Sequence, residues 1–360
     1  MNKVFKTTSK VLANIFTILF GVITVGSSIA LDNASAINGA FNIPVQKVVI
    51  DENAEIKSYY DSDYFDVEDL RKASEDIVEE VMSEGLVMLK NDNNALPLKS
   101  NATISLYSAN SVNFVYTGGG SSGANAKAVK KATTLKSGLE KSGFTVNKDL
   151  WDFYSSHEEY WQGTDFSGNQ SQNKSYRTKD APWSELPNAK NNKADAAIVV
   201  LSRSAGENRD MFESKNEVLD DSNNYLALSN NEKDILTNLK KLKDNGTIKK
   251  IIVLMNSANQ IQCDFVDNNE YSIDSLLWCG TTGSTGTIAI GKVLAGKVNP
   301  SGNLSTTFFY KHSANPVYYN IGATEYGNAS NITSYRNGEN KYYDAYQQGI
   351  YNGNKYTETR

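Results

Sequence analysis

Apolar residues along this chain fall into two kinds of run. In "DVEDLRKASEDIVEEVMSEG" (66–85), Val67, Leu70, Ala73, Ile77 and Val81 recur three or four positions apart. That spacing predicts an amphipathic helix ended by Gly85. The other runs are short and unbroken: "LVMLKND" (86–92), "TISLYS" (103–108), "AAIVVLS" (196–202), "KKIIVLMNS" (249–257), "DSLLW" (274–278) and "NLSTTFF" (303–309). Such blocks lack the period-2 alternation of half-exposed strands and are expected of strands covered on both faces. Helical patterns lie between them. One covers 125–142; a second opens on Ser229 and Glu232, an S-x-x-E capping box, and continues through Ile235, Leu236, Leu239 and Leu242. A third, "GSTGTIAIGKVLAG" (283–296), sits between glycines. Strands alternating with helices predict an α/β fold: a doubly wound, mostly parallel sheet with helices on both faces, over 65–310.

The ends read differently. Lys3, Lys6 and Lys10 precede "VLANIFTILFGVITVGSSIAL" (11–31), which carries no charge. That stretch is long enough to span a bilayer with the lysines kept on the cytoplasmic side. "ASA" at 34–36 also fits a signal peptidase site. Residues 1–36 are therefore expected to be a signal peptide or membrane anchor, the length favouring the anchor, and the remainder of the chain is expected to be exported. Residues 37–64 read as a polar linker. Residues 152–190 read as a long surface excursion, and 311–360 as an irregular Tyr/Asn/Gly-rich tail or interdomain link.

With 39% hydrophobic and 21% charged residues the chain reads as a folded protein, and its net charge of −5 lacks the basic footprint of a nucleic-acid binder. Cys263 and Cys279 are the two cysteines and His157 and His312 the two histidines. Neither pair has zinc-ligand spacing. The cysteines flank apolar runs and are expected to be small buried residues, with a disulfide the alternative for an exported chain.

The candidate chemistry centres on "LSRSAGENRDM" (201–211). Glu207 lies just past a buried strand, where α/β sheets bind ligands. A carboxyl there suits general acid/base work, and a helix cap or solvated residue is the ordinary alternative. Arg203, Arg209 and Asp210 are candidates for orienting Glu207 or contacting substrate, against the same solvated-loop reading. "GGGSSG" (118–123) is glycine-rich like a phosphate loop, but lacks the G-x-x-x-x-G-K-[ST] and G-x-G-x-x-G contexts, so a rim loop is expected over a nucleotide site. No G-x-S-x-G elbow is present, which argues against a serine triad.

Five stretches together resemble the α/β sandwich domain of glycoside hydrolase family 3, the β-glucosidase and β-xylosidase type. They are "SEGLVMLKNDNNALPL" (83–98), "GGGSSG", "AAIVVLSRSAGENRD" (196–210), "KKIIVLMNSANQIQ" (249–262) and "DSLLWCGTTGSTGTIAIGKVLAGKVNPSGNLSTTF" (274–308). The resemblance implies retaining hydrolysis of β-linked glucosides or oligosaccharides. Glu207 would stand at the acid/base position, and an aspartate nucleophile on a TIM barrel would sit ~5 Å away. It implies no cofactor, because two carboxylates suffice. A barrel needs ~250 residues, so the nucleophile is expected from outside these 360 residues, in a longer product or a separate chain. The end, "YQQGIYNGNKYTETR", is similar to the family's link to further domains, with Gln348 in place of a Glu; Asn208 likewise replaces the Gly after the acid/base residue, and Thr282 a Pro. The alternative to an enzyme part is a non-catalytic, surface-anchored domain that binds carbohydrate or a partner protein.

Overall fold

The computed structural model describes residues 2–34, 37–38, 41, 63–118, 132–160, 180–187, 193–203, 225–315, 318, 349–351 and 353–357. The chain divides into two units, Met1–Asp63 and Tyr64–Arg360. The first contains helix α1 (Asn2–Asp32), whose stretch Thr7–Asp32 is long and apolar enough to cross a membrane, with mean hydropathy 1.9. Thr17 and Thr24 donate to the carbonyls of Ala13 and Phe20, so their hydroxyls add no unsatisfied polar group to that surface.

The second unit is a 6-stranded sheet. In chain order it contains α2 (Val67–Gly85), β1 (Val87–Asn91), β2 (Thr103–Tyr107), α3 (Leu135–Lys141), β3 (Thr145–Val146) and α4 (Lys148–Ser156). These are followed by β4 (Ala194–Arg203), α5 (Asn230–Asp244), β5 (Ile248–Ser257), β6 (Ser275–Trp278) and α6 (Thr287–Leu294). The strand order is β1-β6-β5-β4-β2-β3; only the β1–β6 pair at one edge is antiparallel. The expected doubly wound, mostly parallel sheet is what forms.

The unbroken apolar strands are explained by two cores. In β4, Ala197, Val199 and Leu201 point to a face shared with Leu150 and Tyr154 of α4 and Ile235, Leu236 and Leu239 of α5. Alternate residues Ala196, Ile198 and Val200 meet Leu135 and Leu139 of α3 and Ala289 and Ile290 of α6. Successive side chains leave a strand on opposite faces, so a strand buried on both sides must be apolar throughout. Helices α3 and α6 approach to backbone contact: a Cβ on Gly138 would lie 2.4 Å from the Thr287 carbonyl oxygen, and one on Gly291 2.4 Å from that of Gly138.

Four local expectations are corrected. "NLSTTFF" is not a strand: Gly302 N–H bonds the Leu86 carbonyl and Cys263 N–H the Phe309 carbonyl, without a repeating ladder. β1 already occupies the position beside β6, and the sixth strand is the short β3. The 125–142 helix is observed as α3 only, capped by Thr134, whose Oγ1 accepts from Ser137 N–H; 125–131 lie outside the described residues. In 152–190, residues 161–179 and 188–190 lie outside the described residues; of the rest, Tyr154, Tyr160, Ala181, Trp183 and Leu186 belong to the core, so that part is not purely a surface excursion. Finally, α2 forms as predicted but leaves Val67, Leu70, Ile77 and Val81 exposed. It packs on α6 through another side, with Thr285 donating to the Glu75 carbonyl, Lys292 paired with Glu79, and Val78 and Met82 against Gly283 and Gly286. Periodicity identified the helix but not its inward face.

Candidate functional site

The chain runs from β2 outward to β3 and then crosses back to β4 on the other side of β2. The carboxyl ends of β2 and β4 therefore flank the point where winding reverses, the place where open α/β sheets hold ligands. Two spans named from the sequence start there. The glycine-rich one follows β2, with Gly118 described and 119–123 outside the described residues. The other follows β4; Glu207, Arg209 and Asp210 lie within 204–224, also outside them.

Arg203 is the last residue of β4, and it is not a solvated loop residue. Its side chain is 0% exposed and that of its partner Glu232 is 1%. The guanidinium makes a fork to the carboxylate, Nη1 to Oε1 at 2.8 Å and Nη2 to Oε2 at 2.7 Å. Nε donates to the Tyr225 carbonyl at 2.6 Å, Nη2 to that of Ala227 at 2.6 Å and Nη1 to that of Ser202 at 2.8 Å. A planar guanidinium can fill this many acceptors at once where an ammonium cannot. Glu232 also completes the predicted capping box, accepting from Ser229 N–H while its own N–H bonds the Ser229 hydroxyl. The carboxylate thus caps α5 and neutralises the buried arginine together.

Asn256, near the end of β5, ties the loops that leave β2 and β6 to the end of β4. Its Oδ1 accepts from Val115 N–H and the Ser202 hydroxyl; its Nδ2 donates to the carbonyls of Val115 and Gly280. Ser257 follows, donating to the Arg203 carbonyl, while Trp278 Nε1 donates to the Ser257 carbonyl at 2.7 Å. At the end of β2, Ser108 holds φ +79, a region disfavoured for a side-chain-bearing residue. Its hydroxyl accepts from the backbone and side-chain N–H groups of Asn110, and its N–H donates to Tyr154 Oη.

Asp180 completes this edge from the 180–187 segment. It is 1% exposed. Oδ1 accepts from Ala109 N–H and Ala181 N–H, and Oδ2 has no well-formed hydrogen bond. Burial pushes its carboxyl up from 3.8 to about 7, against the lowering effect of the Ser108 hydroxyl and the two N–H groups. Asn231 Nδ2 donates to the Asp180 carbonyl, linking this residue to the first turn of α5.

The edge is therefore a rigid base with buried polar ties, from which the two candidate spans depart. Among the described residues no cluster of three or more His, Cys, Asp and Glu is placed to hold a metal ion. Both cysteines are buried free thiols. His157 stacks on Phe153 at 4.3 Å and His312 is buried, each remote in sequence from the strand ends above. The sequence reading missed Asn256, Asp180 and the second role of Glu232. Asn256 left a signal, being the polar residue that ends an apolar block; Asp180, in a segment without periodicity, left none.

Comparison with known proteins adds identity to this geometry. Residues 86–353 match the model of the glycosyl hydrolase family 3 C-terminal domain. A β-glucosidase of Ruminococcus albus is 29% identical over 284 residues, 78% of this chain and 26% of the relative. β-Glucosidase A of Butyrivibrio fibrisolvens is 29% identical over 251 residues, 64% of this chain and 28% of the relative. The chain thus spans about a quarter of the length of these curated relatives. In fold it is similar to β-glucosidase 3B of Thermotoga neapolitana, solved with glucose: TM-score 0.61, 23% identity, 81% of this chain and 36% of that one.

Proposed function

From a chain that belongs to the glycosyl hydrolase family 3 C-terminal domains over residues 86–353, we propose that it supplies the acid/base carboxylate of a retaining β-glucosidase-type hydrolase. Glu207 protonates the glycosidic oxygen as the bond breaks, then takes a proton from the water that hydrolyses the glycosyl-enzyme. The aspartate nucleophile comes from a TIM barrel outside these residues. Helix α1 holds the assembly at the outer face of the cytoplasmic membrane, or directs its secretion if it is cleaved. Substrates are β-linked glucosides or oligosaccharides; the two relatives are named as β-glucosidases.

The observation that carries this reading is positional. Within the family match, Glu207 follows Arg203, the last residue of β4, at the reversal of the sheet. A carboxyl leaving that edge can face a separate domain while its base stays fixed.

The test begins with the protein as its host makes it. An immunoblot of host membranes with antibody against 65–310 reads the product's mass, and aryl β-glucosides read its turnover. Glu207→Gln is expected to lower kcat/KM on phenyl glucoside by roughly 10²–10⁴-fold. Turnover unchanged by the substitution sinks the acid/base role. Sugar binding without any turnover favours the non-catalytic, surface-anchored domain instead.

A further inference from the structure

The buried Arg203–Glu232 pair is more than a core ion pair, because of what lies between its contacts in the chain. Arg203 ends β4, and the carbonyls it holds belong to Tyr225 and Ala227, beyond the 21 residues 204–224 that include Glu207. One guanidinium therefore holds both the exit from β4 and the return to α5. The exit is fixed further by the ladder of β4 with β5, where Arg203 pairs with Ser257. The return is fixed by Gln262 N–H, which bonds the Leu226 carbonyl at 2.8 Å. Glu232 stands behind both, held by Ser229 at the start of α5.

We infer that Arg203 is a positioning residue: it closes the base of the span that carries Glu207, so that the span begins and ends at one fixed place on the sheet edge. The catalytic half of this statement rests on the acid/base reading above; the clamp itself does not. Burying a charge pair is costly, and an apolar pair of similar volume often serves stability as well or better. Retaining an arginine here fits a need for its geometry. Its five N–H donors reach two carboxylate oxygens and three carbonyls, a set that neither lysine nor an apolar residue can hold.

Two variants of the full chain, in detergent, separate the clamp from bulk stability. Arg203→Lys keeps the charge opposite Glu232 but loses the fork. Arg203→Met with Glu232→Leu removes both charges and keeps the volume. Both are expected to raise amide hydrogen exchange across Tyr225–Leu228 by about tenfold or more, with β4 and β5 unchanged. For Arg203→Lys, which keeps the capping box, α5 is also unchanged. Exchange at Tyr225–Leu228 equal to wild type in both variants overturns the clamp. So does a rise shared by β4 and β5, which reports general loosening.

Kinetics of the host-made protein then test positioning. Arg203→Lys is expected to lower kcat/KM on phenyl β-glucoside on the order of tenfold more than on 2,4-dinitrophenyl β-glucoside, whose leaving group departs without a proton. Equal losses on both substrates overturn the positioning role. Wild-type protein without turnover, or Glu207→Gln without effect, sinks the acid/base reading, and the positioning of a catalytic group with it. The exchange result decides the clamp separately.

Discussion

Asp180 offers a perturbation whose sign runs against intuition. Its carboxyl is buried at the end of β2, and burial raises it from 3.8 to about 7. In the unfolded chain it loses its proton near 4. Between those two values the folded state binds a proton that the unfolded state does not. Stability then falls as pH rises, by ~1.4 kcal/mol per pH unit for one such group. Over about three units the loss is roughly 4 kcal/mol, complete once the pH passes the folded value. Below about pH 4 both states are protonated and the group contributes no slope.

Asp180→Asn removes the ionisation while keeping the shape. The new side-chain oxygen can still accept from the N–H groups of Ala109 and Ala181. Its amide nitrogen takes the place of Oδ2, which lacks a well-formed bond in the wild type. At pH 4 the variant is expected within ~1 kcal/mol of wild type, the net worth of one ordinary hydrogen bond. At pH 8.5 the ionised wild type is expected to be the less stable by about 3 kcal/mol. Urea unfolding of the full chain in detergent, followed by tryptophan fluorescence, measures this. Trp183 suits the purpose, because it stacks on Tyr107 at 5.9 Å beside the same edge. Taking the difference between the proteins at each pH cancels the other carboxylates. A difference that stays constant from pH 4 to 8.5 would refute a raised Asp180, and one of opposite slope would mean that the carboxylate is stabilised by the fold.

Three further outcomes rest on packing and polar ties. Gly291→Ala is expected to destabilise the domain by roughly 1–3 kcal/mol in urea, since overpacking against Gly138 outweighs the helix-propensity gain of about 1 kcal/mol. Asn256→Ala removes the partners of Val115 N–H, the Ser202 hydroxyl and the Gly280 carbonyl. It is expected to cost roughly 3 kcal/mol and to speed amide exchange at 113–116 and 280–283 first. Cys263, pushed up to about 12 by burial, and the fully buried Cys279 are expected to be inert to a thiol reagent in the native chain and reactive in urea.

The parts of the fold legible in the sequence were those fixed by local periodicity. The strands buried on both faces announced themselves as unbroken apolar blocks, and the α5 cap as Ser229 with Glu232. What could not be read depends on partners distant in the chain. β3 is two residues long and exists because Thr103 and Ile104 of β2 pair with it. "NLSTTFF" has strand composition, but β1 already fills the place beside β6. Helix α2 shows a clean apolar stripe and packs by another side, because the turn leading into α6 offers Gly283 and Gly286 to Val78 and Met82. Of the candidate site, the edge was legible as the end of the apolar block 196–202, whereas Glu207 itself lies outside the described residues. The ties beneath it were not, since Arg203 reads as a loop residue until Glu232 is found opposite it.

The placing of those ties matters for the proposed chemistry. In a retaining hydrolase the acid/base and nucleophile carboxylates must stand ~5 Å apart, and a displacement of about 1 Å costs on the order of 10²-fold. When the two groups belong to one rigid scaffold, that scaffold sets the spacing. When they belong to different domains, each domain must fix its own group. For this domain the fixed points are Arg203, Asn256 and Ser257, all buried at the ends of β4 and β5. Each commits hydrogen-bonding capacity to backbone carbonyls or N–H groups of the adjoining loops. Apolar residues could fill the same volume, but they could not hold those backbone groups in register. Buried polar residues concentrated at this edge are thus what the proposed split active site would demand of the half that carries Glu207. The same logic predicts that loosening Arg203 should harm proton-dependent turnover more than stability.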